Sequence, residues 1–241
     1  PSMWRSIMKS PSAKLAVAAA VIIACVIGLS LWRTTGSGVA MADVLARIEQ
    51  VKAFRFKKTR SRIKEVPAGK PFILEIREDY LVSKEYGSKA KSEFLNPKGE
   101  RTFSNDIYFN PATNTLVIIQ HMQKQYLLAE LGSSIGQRLQ KDANRFGDAL
   151  AVLKEIAASK YESIGRSTIG GIEVEGFRTT DPNCAHDEGS GLKESQVDVK
   201  LWIDVKTRLP VRYESLRTGF DEQGARESFP VVMYDFQWDV P

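Results

Sequence analysis

The stretch V-K-L-W-I-D-V-K-T-R-L-P-V-R-Y-E, Val199–Glu214, reads as two short strands around a turn. Val199, Leu201 and Ile203 alternate with Lys200, Trp202 and Asp204, the period of a half-buried strand. Asp204 and Thr207 bracket the reversal, where their side chains can hydrogen-bond backbone that the turn leaves unpaired. Leu209, Val211 and Tyr213 then resume the alternation. Pro210 has no N–H for a ladder, so its strand begins there or lies at a sheet edge. Ile107–Ile119, I-Y-F-N-P-A-T-N-T-L-V-I-I, echoes the pattern. Ile107, Tyr108 and Phe109 lead into Asn110 and Thr113 as Leu201, Trp202 and Ile203 lead into Asp204 and Thr207. Shared turn chemistry on a shared strand pattern predicts two hairpins in one antiparallel sheet; the alternative is a chance echo of a common motif.

The chain has 241 residues and a formal charge of +5. That length suits one large domain plus a tail, or two small domains. Residues 1–42 contain Arg5, Lys9, Lys14 and Arg33 and no acid, so they carry +4 and the remainder +1. The basic balance thus belongs to the flanks of one apolar run, which argues against nucleic acid as a partner. That run, Leu15–Trp32, has 18 residues without a charge. As a helix it reaches ~27 Å, enough to cross a bilayer core. Three basic residues precede it and one follows, which puts the N-terminus in the cytoplasm. A cleaved signal ending at Ala40-Met41-Ala42 is an alternative, and Ile22-Ile23-Ala24-Cys25 is a loose lipidation box. All three readings place the following domain outside the cytoplasm, tethered to the inner membrane if the segment is retained. The expected division is a cytoplasmic tail at 1–14, a transmembrane helix at 15–32, a linker at 33–42 and an extracytoplasmic domain at 43–241. Pro1 rather than Met leads to the expectation of residues upstream, a larger cytoplasmic part among them. Cys25 and Cys184 are the two cysteines, one inside the apolar run, so no intrachain disulfide is expected.

Val39–Val51 has Val44, Leu45, Ile48 and Val51 on one helical face. Phe54–Lys64 reads as a strand dense in cations: Arg55, Lys57, Lys58, Arg60, Arg62 and Lys64. Such a strand suits a sheet edge that repels other edges; the other reading is contact with anionic lipid headgroups. Phe72, Leu74 and Ile76 alternate with Ile73, Glu75 and Arg77 as one strand, Tyr80–Val82 forms another, and Gly87-Ser88-Lys89 and Asn96–Gly99 read as turns. Gln125–Ala129 is a further strand. Ser133–Lys160 carries a long apolar stripe at helical spacing. Gly165–Thr179 is a hairpin turning at Gly170-Gly171. Asp181–Gly191 is a loop, and the last strand puts Val232, Tyr234, Phe236 and Trp238 on one face. This order is α+β, with helices gathered on one face of a large curved antiparallel sheet.

The order resembles the LolA/RseB-like family of exported proteins, and most of all its membrane-anchored bacterial members. An apolar segment is followed by a helix like Met41–Val51, a hairpin like Ile107–Ile119, a helix, and a Gly-x-x-x-Ile-x-Gly element. Gly165-Arg166-Ser167-Thr168-Ile169-Gly170 keeps most of that element with shortened spacing, and Gly176-Phe177 follows. The hairpin from Leu201 to Val211 is the most specific match, and Tyr234-Asp235-Phe236 before Asp239-Val240-Pro241 is similar too. The likeness covers residues 41–241 and specifies architecture rather than chemistry. It implies an incompletely closed β-barrel with helices on its concave face, whose apolar wall takes a lipid acyl chain or an acylated protein. Phe72, Leu74, Ile76, Val199, Leu201, Val211, Phe236 and Trp238 are the expected lining; packing against the helices is their other reading. The family also implies an envelope-stress regulator of the anti-sigma-factor type, with a membrane protein as partner. A tethered chain cannot shuttle between membranes, which favours a fixed lipid-binding module or a sensor.

Chemistry is sparse. Neither a G-x-S-x-G element, a Walker loop, an H-E-x-x-H helix nor paired C-x-x-C motifs occur. His121 reads as a structural residue on a strand. Cys184, His186, Asp187 and Glu188 share one loop, but their spacing matches no standard metal site and a solvated loop is the simpler reading. No catalytic residue, metal or cofactor is expected, and the chain reads as a non-enzymatic domain.

Overall fold

The computed structural model describes residues 39–66, 69–130, 149–184 and 191–240. The candidate membrane segment at 15–32 lies outside them. So do the start of the long helix and His186. Among the described residues no helix is long and apolar enough to cross a membrane.

Helix α1 (Met41–Gln50) comes first, and strands β1 (Ala53–Lys64), β2 (Phe72–Ser83), β3 (Gly87–Leu95), β4 (Arg101–Asn110), β5 (Thr115–Gln120) and β6 (Gln125–Glu130) follow. Then come α2 (Ala149–Ala158), β7 (Glu162–Ile169), β8 (Ile172–Thr179), β9 (Lys193–Asp204), β10 (Pro210–Phe220) and β11 (Arg226–Trp238). A short 3-10 turn, Pro182–Cys184, precedes β9. All eleven strands form one antiparallel sheet in the order β6-β5-β4-β3-β2-β1-β11-β10-β9-β8-β7. The sheet does not close, because β6 and β7 each have one neighbour. The chain draws one meander outward from β1 to β6 and a second inward from β7 to β11. The pairing of β1 with β11 joins them.

Both expected hairpins are present and built alike. Asn110 Oδ1 accepts from the N–H groups of Ala112 and Thr113, and Asp204 Oδ1 from those of Lys206 and Thr207. Each turn closes on a left-handed residue, Asn114 at φ 51° and Arg208 at φ 61°. β10 begins at Pro210, where a missing N–H costs least.

Four expectations change. The basic strand β1 is not an edge: it is sixth of the eleven, hydrogen-bonded on both sides. Its cations are tolerated there because neighbouring strands bring carboxylates to both of its faces. Phe72–Ser83 is one continuous strand. Its turn lies over Lys84–Tyr86, so Gly87 opens β3 instead of sitting in a turn. Gly87 adopts φ +91°, and a Cβ there would stand 2.0 Å from the Phe109 carbonyl oxygen, so glycine is required by backbone approach as well as by conformation. Last, Val232 and Tyr234 do not share a face with Phe236 and Trp238. Asp235 takes φ 57°, and between Arg55–Gln237 and Lys57–Tyr234 the register slips by one residue. This bulge turns the end of β11 over.

One face of the sheet carries the helices. Val44 and Ile48 of α1 and Leu153 and Ile156 of α2 are buried in one cluster with Phe54, Phe56, Tyr80, Val199, Leu201, Ile203 and Tyr213. Stacked rings cross the β2–β1–β11 seam on this face. Tyr80 lies against Phe56 at 4.7 Å, Phe56 against Phe236 at 5.4 Å, and Phe54 against Trp238 at 5.1 Å. The Trp238 indole N–H donates to the Pro210 carbonyl at 3.1 Å. Glu175, itself buried, accepts the Val39 N–H at 2.8 Å and so pins the chain where it enters the domain.

Glu78 and Asp79 are neighbours on β2 that point to opposite faces. Glu78 is 4% exposed and meets Lys58 at 3.9 Å and Arg60 at 3.3 Å on the helix face. Asp79 meets the half-exposed Arg55 on the outer face. Glu78→Ala removes the buried carboxylate that Lys58 and Arg60 share and is expected to cost about 3–5 kcal/mol. Asp79→Ala breaks a solvated pair and is expected to cost about 1 kcal/mol or less. Urea midpoints measure both, and equal costs would show that burial does not distinguish the two pairs.

Candidate functional site

The helix face divides into two halves along the strands. At the end where β1 starts and β9 finishes, α1 and α2 fill it. Among the described residues, a cavity of about 20 Å³ there is bounded by Ile48, Leu153, Phe54, Leu201, Tyr213, Met233, Phe236 and Trp238. A space of that size holds a water molecule at most.

Toward the other end the same face changes character. Strand periodicity carries Lys58, Arg60, Arg62 and Lys64 of β1 onto it, about 6.7 Å apart. Opposite them on β2 stand Glu78, Ile76, Leu74 and Phe72, and on β11 Met233, Val231, Phe229 and Glu227. Phe94 of β3 continues the row from Ile76, and Phe103 of β4 continues it from Phe94, their rings edge to face at 5.3 Å. Phe72 is 50% exposed, and Leu74, Ile76, Phe94, Phe103 and Phe229 are half-buried. An apolar lane therefore runs beside a spine of cations.

The spine is tied down by acids. Arg62 donates through Nε and Nη2 to the two oxygens of Glu227, at 3.0 and 2.7 Å, and its guanidinium lies 5.9 Å from the Phe229 ring centre. Glu227 is 2% exposed, so this fork is what makes its burial tolerable. Lys64 reaches Asp221 at 2.5 Å and Glu227 at 3.7 Å. Ser92 Oγ donates to Glu78 at 3.3 Å. Hydrogen bonding to Glu227 raises the Arg62 pKa, and hydrogen bonding to Asp221 raises that of Lys64. On the outer face Lys57 meets Asp235 at 2.7 Å, which places the bulge residue against the spine strand.

The eight expected lining residues fall in four places. Phe72, Leu74 and Ile76 stand together in the lane. Val199 and Leu201 are 1% exposed beneath the helices, and Phe236 and Trp238 belong to the seam stack. Val211 sits at the register shift between Pro210 and Arg212, outside the core cluster. Phe94, Phe103 and Phe229 join the lining through partners on other strands, which no local pattern along the chain announces. Cys184 is buried rather than solvated, its thiol directed to the Glu155 carbonyl at 3.5 Å, and burial raises its pKa. His121 lies in the β5–β6 turn, 3.2 Å from Asp106, rather than on a strand. Among the described residues no cluster of His, Cys, Asp and Glu is arranged to hold a metal ion. A separate groove of about 570 Å³ lies on the outer face over Leu81, Tyr108 and Val117, with Lys52, Lys84 and Lys89 on its walls.

No protein-family model matches the chain, and no curated protein matches it. Solved structures align along most of its length. LprF from Mycobacterium bovis does so at 14% identity, over 83% of this chain and 91% of that one, with a TM-score of 0.46. The lipoprotein LppX from Mycobacterium tuberculosis gives 16% identity, 84% and 98% coverage and a TM-score of 0.44. A LolA superfamily protein from Nitrosomonas europaea gives 12%, 85% and 96%, and 0.29.

Hydrogen bonds from Arg55, Lys64 and Lys57 hold the carboxyls of Asp79, Asp221 and Asp235 below the usual aspartate range. Folding therefore releases protons from these groups in acid. Their contribution is complete above the ordinary aspartate value of about 3.9 and is lost as pH falls through the folded values. The expected outcome is a thermal midpoint that is level from pH 7 to 5 and declines below about pH 4, less steeply in D79N/D235N; an unchanged slope in the variant contradicts the assignment.

Proposed function

We propose that this chain is a non-enzymatic lipid-binding module whose helix-bearing sheet face receives an acyl chain, free or carried by a lipoprotein. The observation that carries this reading is the lane of Phe72, Leu74, Ile76, Phe94 and Phe103, with Phe229 across the cation spine. These six apolar side chains share one face of five neighbouring strands that includes the seam, and none of them is fully buried. A folded domain that only needed a core would cover such a patch or leave it polar. A flexible hydrocarbon needs what the lane offers: length along a sheet, aromatic walls and no fixed hydrogen-bond pattern. The residues under α1 and α2 lie on the same face at its other end, where Val199 and Leu201 are buried beneath the helices.

The apolar run at 15–32 supports a tethered arrangement, with the domain outside the cytoplasm and the ligand taken from, or presented to, the membrane that holds it. No observation in the sheet favours the regulatory reading over this one.

Native mass spectrometry of the purified chain tests the proposal. Co-purifying lipid, or uptake of added fatty acid, is expected for the parent and is expected to fall by at least about tenfold in Leu74→Asp, where a charge enters the lane. Circular dichroism checks that the variant is folded. A parent chain that neither carries nor takes up lipid would falsify the reading.

A further inference from the structure

The lane and the spine are adjacent by register, and the adjacency selects a ligand. Arg60 stands opposite Ile76, Arg62 opposite Leu74 and Lys64 opposite Phe72. Cross-strand neighbours of this kind lie about 5 Å apart, closer than the width of an alkyl chain and its headgroup together. A molecule lying in the lane therefore has cations along one flank for its whole length. On the other side of the spine Val231 and Phe229 repeat the apolar character, so the charges form a ridge between two greasy strips.

Among the described residues, the charge balance on this half of the face is positive. Lys58, Arg60, Arg62 and Lys64, with Arg217 paired opposite Phe229 on β10, face Glu78, Glu227 and Asp221. The three acids are nearly or fully buried at their side chains, at 1%, 2% and 11% exposure, whereas Arg62 is 50% and Lys64 32% exposed. The negative ends are thus withdrawn into the sheet and the positive ends are presented to solvent. The fork on Glu227 uses the Nε and Nη2 edge of Arg62, and the Nη1 group takes no part in it.

We infer that the ligand of this face is an anionic lipid, with its acid group held at Arg62 and Lys64 and its hydrocarbon along Phe72, Leu74 and Ile76. The inference rests on the lipid-binding reading and adds the charge of the headgroup to it. The cations bind a carboxylate or phosphate without being stripped of their own partners, because Glu227 and Asp221 hold the two side chains in place beforehand. A neutral lipid with the same chain fills the lane equally well and gains nothing from the spine.

The test uses the full chain in nanodiscs of neutral phosphatidylcholine, with two photoactivatable probes of equal chain length: a diazirine-bearing oleate and the corresponding oleyl alcohol. Cross-links are mapped by peptide mass spectrometry and compared at the 72–76 peptide, so that labelling elsewhere serves as background. Oleate is expected to label this peptide roughly tenfold more than the alcohol, the size of one charge-assisted hydrogen bond. In R62Q/E227Q, which removes the pair together and leaves no orphaned carboxylate, the preference is expected to shrink to about twofold or less. Equal labelling by the two probes in the parent chain overturns the headgroup assignment and leaves the acyl-chain reading standing. Labelling by neither overturns both. The comparison within the parent chain decides the matter even where the double variant does not fold.

Discussion

The fold depends on the seam where β1 meets β11. Each of the other strand pairs joins strands consecutive in the chain; this one joins the first strand to the last. It closes the longest loop in the domain, so it must return more free energy than any hairpin does. Two devices supply it. At one end aromatic rings stack across β2, β1 and β11, with Trp238 tied to Pro210. At the other end Glu227 of β11 is buried against Arg62 and Lys64 of β1. Ion pairs of this kind add specificity more readily than stability. Here they fix register: shifting β11 by one residue would send Glu227 to the outer face, away from both cations.

The same register gives the helix face its two halves. Where the helices lie, the alternating residues of β1 are Phe54 and Phe56, and both are buried beneath the helices. Beyond Phe56 the alternation delivers Lys58, Arg60, Arg62 and Lys64, which cannot be covered by a helix without losing water or partners. Beside them β2 and β3 still offer Phe72, Leu74, Ile76 and Phe94. A surface that is apolar and cationic at once is poor core and good amphiphile-binding surface. The candidate site thus follows from the same strand that makes the sheet continuous.

Much of the architecture was legible from local pattern. The two hairpins, the Gly170-Gly171 turn and the face of α1 follow from alternation, turn residues and helical spacing, all of which act within a few residues. The misreadings share one cause. β1 looked like an edge because its cations were counted without their partners, and those partners, Glu78 and Glu227, lie 14 and 163 residues beyond Lys64. β11 looked one-sided because nothing in the order of residues announces that Asp235 takes a left-handed conformation. β3 was missed because Ser88, Ala90 and Ser92 are small rather than apolar, yet they face the interior where Tyr80 and Ile107 fill the space.

The sequence by itself therefore determined the units: strands, turns, an amphipathic helix, and one apolar run of membrane-spanning length. These are set by backbone conformation and side-chain period, which neighbours along the chain decide. Which strand lies at the centre, which cations are buried against which acids, and which apolar residues are left open were decided by tertiary structure. Those properties belong to pairs of residues on different strands, and the pairing comes into being when the last strand docks beside the first.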